Sequence, residues 1–133
     1  MHPCILSLAA NCEQEKNLAE ARRRLSQILF SPSYTEAIWT EPYHLPTNTH
    51  HPSPNTQPYL NQLVYAETPL SVENLEARLK SIELSMGRTA EDRQRGIVRI
   101  DLDLMQYDDQ RYHLRDWDRP YIQQLFLQRI EHQ

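Results

Sequence analysis

The sequence predicts an α+β sandwich, an antiparallel sheet with helices packed on it. Three observations carry this. Short β-prone runs recur along the chain, longer stretches between them repeat apolar residues at three- and four-residue spacing, and proline or glycine marks most boundaries. The 133 residues suit a single domain spanning 1–133, large enough to bury a core without disulfides or a structural metal.

Residues 4–10 follow Pro3 with Ile5, Leu6 and Leu8, which predicts a short buried strand ending near Asn11. From Glu13 to Phe30, Leu18, Ala21, Leu25, Ile28 and Leu29 recur at helical spacing with Glu and Arg between them, an amphipathic helix. Tyr34 to Thr40 reads as a second strand, stopped by Pro42. Pro42 to Pro58 holds five prolines and three histidines and reads as a long loop, either a binding lid or a disordered segment. His44, His50 and His51 lack helical or strand spacing, so a solvated loop is the expectation there rather than a metal site.

Tyr59 to Thr68 is a strand broken by Pro69, and Ser71 to Met86 a helix with Ser71 as N-cap and Gly87 as its stop. Thr89 to Gly96 reads as a charged loop, Ile97 to Tyr107 as a strand, Asp108-Asp109 as a turn, and Arg119 to Ile130 as a closing helix. The order strand, helix, strand, loop, strand, helix, strand, helix fits a ferredoxin-like sandwich.

A net charge of −4 and a pI near 5.8 offer no general attraction to nucleic acid or anionic membranes. Two cysteines, Cys4 and Cys12, are too few for a disulfide framework, and no apolar run is long enough to span a bilayer. A cytoplasmic protein with small-molecule ligands is the expectation.

In Ile100-Asp101-Leu102-Asp103-Leu104 the alternation sets both carboxylates on one strand face while the leucines enter the core. Two like charges side by side suit a magnesium ion, which takes one or two protein carboxylates and completes its shell with water and phosphate. A half-solvated strand without a ligand would show the same pattern. Upstream, Arg88, Arg93, Arg95 and Arg99 crowd the segment between Gly87 and Ile100, and guanidinium forks suit phosphate oxygens. A solvated charged loop is the alternative, since Glu91 and Asp92 lie among them. Tyr59 and Asn61 share a strand face, an aromatic wall and an amide suited to a flat heterocycle, although both residues also occur on ordinary edge strands. No Gly-rich phosphate cradle and no kinase catalytic-loop motif is present.

Tyr59-Leu60-Asn61, Glu67-Thr68, Ile82-Glu83 with Gly87-Arg88, and Arg99-Ile100-Asp101-Leu102-Asp103-Leu104-Met105 together resemble the 6-hydroxymethyl-7,8-dihydropterin pyrophosphokinases over most of the chain. The resemblance implies the ferredoxin-like fold and an ATP-dependent transfer of pyrophosphate to a pterin alcohol in folate biosynthesis. It implies that Asp101 and Asp103 hold two magnesium ions, with Arg88 and Arg95 completing the catalytic set. Asn61 would pair with the pterin ring, Tyr59 would stack on it, Thr40 and Pro42 would line the same pocket, and Phe126 would be a second stacking aromatic. Glu83, Arg88, Arg93, Arg95 and Arg99 would serve the nucleotide.

The sequence departs from the family pattern in three places. Ala9-Ala10-Asn11 stands where the family has Gly-Ser-Asn, the arginines before the acidic strand are displaced, and Leu114 to Asp118 lacks the family's His-Pro segment. A pterin- or nucleotide-binding homologue with impaired turnover is the alternative these departures support.

Overall fold

The computed structural model describes residues 1–41 and 57–131. The ladder begins with β1 (His2–Ala10), then α1 (Gln14–Leu25), β2 (Phe30–Tyr34), β3 (Ile38–Thr40), β4 (Tyr59–Thr68), α2 (Val72–Ser85), α3 (Ala90–Gln94), β5 (Asp101–Tyr107), β6 (Gln110–Arg111), α4 (Leu114–Trp117) and α5 (Pro120–Glu131). The sheet order is β2-β4-β1-β5-β6, with β3 also on β4, and every pairing is antiparallel. This is the α+β ferredoxin-like arrangement, with the first strand at the centre. Pro42, His44, His50 and His51 lie outside the described residues.

Alternation along β1 assigns its two faces. Leu6, Leu8 and Ala10 turn to α1 and α2, where Leu18, Ala21, Leu25, Leu75 and Leu79 complete the main core. Ile5 turns the other way, into a second cluster with Leu63, Met105, Trp117, Ile122 and Leu125. Between Ile5 and that end of the face, Ser7 and Ala9 are small, so the far half of the second face is left hollow.

Several boundaries differ from the sequence expectation. The first helix stops at Leu25, and Ile28 and Leu29 reach the core from the turn beyond it. The predicted second strand is two short ones on the same edge of β4, separated at residues 35–37. The segment expected as a charged loop contains α3, which Thr89 caps by accepting from the Asp92 amide at 3.0 Å.

The strand expected from Ile97 begins at Asp101 instead, because Asn11 captures the backbone before it. Val98 N donates to Asn11 Oδ1 at 2.6 Å, and Asn11 Nδ2 donates to Gly96 O at 2.9 Å. Ser71 caps α2 as expected, accepting from Asn74 N, and Gly87 follows it at φ +103°, a conformation that favours glycine.

A bulge falls in the β1–β5 pairing. Leu6 faces Leu104 and Ile5 faces Gln106, so Met105 is the extra residue and Tyr107 is switched to the main-core face. The freed Met105 carbonyl accepts from Tyr112 N at 2.9 Å and Trp117 Nε1 at 3.1 Å. Those two bonds fasten α4 above the second face of the sheet.

Candidate active site

One row of the sheet builds the floor of the site. Ala9 is paired with Asn61 of β4 on one side and Asp101 of β5 on the other, and Asp103 is paired with Ser7 one pleat away. Small side chains at 7 and 9 leave room between the amide and the carboxylates. The result is a cavity of about 720 Å³ whose lining includes Thr40, Tyr59, Asn61, Asp101, Asp103 and Tyr121. That volume lies in the usual range for a small-molecule pocket.

Asn61 is buried, and its Nδ2 is committed to the protein, donating to Thr40 Oγ1 at 2.9 Å and Ile38 O at 3.2 Å. These bonds hold β3 against β4 and leave Oδ1 without a partner among the described residues. An acceptor is thereby presented to the cavity. Tyr59 stands on the same face, its hydroxyl pushed above the usual range by burial and by the Asp101 charge, with a hydrogen bond to Asn11 opposing them.

The acidic pair is electrostatically uncomfortable as it stands. Burial, then the Asp101 charge, pushes Asp103 up to about 6; nearby Asp116 adds to the rise, while His113 and Arg88 oppose it. His113 brings Nε2 to 3.9 Å from Asp103 Oδ1. Beneath the pair, Glu83 of α2 is only 7% exposed and accepts the Leu102 amide at 2.8 Å, satisfying a β5 edge group that no strand reaches. Burial pushes Glu83 up to about 7, reinforced by Asp101 and opposed by the Leu102 amide and by Arg88, which donates to it at 3.0 Å.

A sequence model of the 7,8-dihydro-6-hydroxymethylpterin-pyrophosphokinase family matches residues 5–131. The chain belongs to this family. Members of this pyrophosphokinase family transfer pyrophosphate from ATP to hydroxymethyldihydropterin in folate synthesis, using ATP with magnesium. They take ATP and pterin as small-molecule substrates. No curated protein matches the chain. Among the described residues no helix is long and apolar enough to cross a membrane.

For a pyrophosphokinase, the pair at Asp101 and Asp103 has the donor chemistry magnesium needs. Both are hard oxygen ligands on one face of a cavity, close enough that the Asp101 charge adds to the burial that pushes Asp103 up. No cluster of three or more metal-ligating side chains occurs among the described residues. A pair suffices where phosphate and water supply the remaining ligands.

The structure gathers Thr40, Tyr59, Asn61, Asp101 and Asp103 in one cavity. It takes Phe126 elsewhere, edge-on to Trp117 with centroids 5.5 Å apart and beside a separate hollow lined by Ile5 and Tyr65. The aromatic that enters the cavity opposite Tyr59's strand is Tyr121, on the preceding part of α5. Arg88, Arg93, Arg95 and Arg99 do not line it. Arg88 is held by Glu83, Arg95 pairs with Glu91 at 2.9 Å, Arg99 pairs with buried Asp92 at 2.8 Å, and Arg93 is exposed.

Among the described residues, the cations in the cavity wall are Arg115 and Arg119, beside Asp116. Sequence reasoning missed these three, together with His113 and Tyr121. The useful signal was the density of charge in Arg115-Asp116-Trp117-Asp118-Arg119, centred on a tryptophan that is buried.

Proposed function

We propose that this chain transfers pyrophosphate from MgATP to 6-hydroxymethyl-7,8-dihydropterin, with Asp101 and Asp103 holding two magnesium ions. The observation that carries the reading is the convergence of Asp101, Asp103, Asn61, Tyr59 and Tyr121 on one cavity of about 720 Å³. Asn61 Oδ1 accepts a ring N–H of the pterin, while Tyr59 and Tyr121 offer it their faces and exclude water. The pterin hydroxyl oxygen forms a bond to the β-phosphorus of ATP as the α,β-bridging P–O bond breaks. AMP leaves, and the hydroxyl proton passes to solvent.

Magnesium, when bound, offsets the charge of the triphosphate as the bond changes hands. The side chains contribute alignment, so no protein nucleophile is required. A binder with impaired turnover is the second reading, favoured by the carboxylate partners that occupy Arg88, Arg95 and Arg99. Calorimetry with the pterin and a non-hydrolysable ATP analogue, followed by an AMP-release assay, separates the two. Binding of both ligands with AMP formation supports transfer, and binding without AMP overturns it.

A further inference from the structure

We propose that Arg115 is the side chain that grips the triphosphate in this chain, a role that rests on the reading above. None of the upstream arginines lines the cavity. Arg88 is on Glu83 and Arg99 on Asp92, Arg95 makes an exposed pair with Glu91 and lines a separate hollow beside Asn11 and Gln57, and Arg93 is exposed away from the cavity wall. Among the described residues Arg115 and Arg119 line the cavity, and Arg119 donates to Asp116 at 2.9 Å. The Arg115 side chain makes no hydrogen bond or ion pair with any described residue.

Its backbone, by contrast, is fixed. α4 hangs from the bulged Met105 carbonyl through Trp117 Nε1 and Tyr112 N, and its first turn closes with Asp116 N donating to His113 O at 2.8 Å. A free guanidinium on an anchored element is positioned without being occupied. The charge around it gives that position meaning. Glu41, Asp101, Asp103 and Asp116 also line the cavity, so the wall repels a polyanion unless cations offset it.

Metal held by the acidic pair would remove part of that repulsion, and Arg119 is paired with Asp116. Arg115 is then the positive group left in the wall among the described residues. Its planar fork can donate to two phosphate oxygens at once, which an ammonium cannot do in the same geometry. The fold thus supplies from the C-terminal side of the acidic strand a phosphate contact within this cavity that its upstream arginines, none of which lines it, do not provide.

The test is calorimetric titration of magnesium tripolyphosphate and of the magnesium complex of a non-hydrolysable ATP analogue into wild type, Arg115→Ala, Arg115→Lys and the distant control Arg23→Ala. Arg115→Ala should weaken both polyphosphates by roughly tenfold or more, with Lys recovering part of the loss. Pterin affinity and the Arg23→Ala control should stay within about twofold of wild type. Unchanged thermal melts show that the fold is intact, as expected for an exposed side chain.

Polyphosphate binding by Arg115→Ala within about twofold of wild type overturns the assignment, as does an equal loss of pterin affinity. The two readings can fail separately. Normal AMP formation and nucleotide affinity in Arg115→Ala would remove this role and leave pyrophosphate transfer standing. Loss of tripolyphosphate binding in the variant, with no AMP formed by wild type, would uphold Arg115 and sink the transfer.

Discussion

Asp101→Asn is expected to stabilise the metal-free fold slightly while abolishing magnesium-dependent pyrophosphate transfer. The stabilisation follows from the charge the carboxylate imposes on its neighbours. Asp103 is pushed up to about 6 by burial first and the Asp101 charge second. A raised carboxyl pKa means that the folded protein keeps a proton the unfolded chain has already released. The associated stability is complete below the ordinary value of 3.8 and is lost as pH rises through about 6. Above that pH the metal-free protein bears the full cost of two adjacent charges.

The interval from 3.8 to about 6 corresponds to about 3 kcal/mol, and because burial is the larger cause the share of Asp101 is about 1 kcal/mol. Asparagine keeps the shape, removes that share, and relieves Glu83, which Asp101 also pushes upward. No arginine is orphaned by the change, since Arg88 and Arg99 hold Glu83 and Asp92. Thermal melts at pH 8 in a chelator should therefore show a rise of about 3–5 °C. With magnesium and the ATP analogue, wild type should gain stability while the variant does not. A melting temperature lowered by several degrees in the chelator would refute the argument, because it would make the Asp101 carboxylate a structural acceptor.

Glu83→Gln should flatten the pH dependence of metal-free stability. Glu83 is pushed up to about 7, so its contribution is complete below the ordinary 4.5 and lost through about 7, whereas glutamine still accepts from Leu102 N and never charges. Urea melts should show the variant gaining on wild type by about 1–3 kcal/mol between pH 5 and pH 8, and a relative loss would refute it. Asn61→Ala should weaken pterin binding by about 1–3 kcal/mol and leave the ATP analogue almost unaffected. Equal weakening of both ligands counts against a pterin contact. Tyr121→Ala should raise the pterin KM by roughly tenfold with little change in melting temperature, while Phe126→Ala, by opening the contact with Trp117, should lower the melting temperature and spare pterin affinity. The reverse pattern would return the stacking role to Phe126.

Where chemistry punctuates the chain, the fold was legible. β4 was readable to its ends because Pro58 and Pro69 flank it, and α2 because Ser71 caps it and Gly87 takes a positive φ. Elements decided by distant partners were not. Ile97-Val98-Arg99-Ile100 has a strand's composition, yet Asn11, 87 residues away from Val98, takes its amide and keeps the segment out of the ladder. The Met105 bulge has no sequence signature either, and it is what turns Tyr107 to the opposite face and hangs α4 over the sheet.

The same division runs through the site. Asp101 and Asp103 could be paired from alternation alone, because period two is a property of the strand itself. Arginines carry no such guarantee. Arg88 finds Glu83 five residues back and Arg99 finds Asp92 seven back, and each contact depends on the turn at Gly87 or Gly96 that lies between the partners rather than on helical or strand spacing. A guanidinium cluster in a sequence therefore counts charges before their partners are subtracted. The subtraction here commits Arg88 and Arg99 to buried carboxylates and gives weight to a residue whose neighbourhood reads as an ordinary polar turn. What makes Arg115 available is the tryptophan two positions later, since burying Trp117 under the bulged strand fixes the turn and leaves its outward side chains facing the acidic pair's cavity.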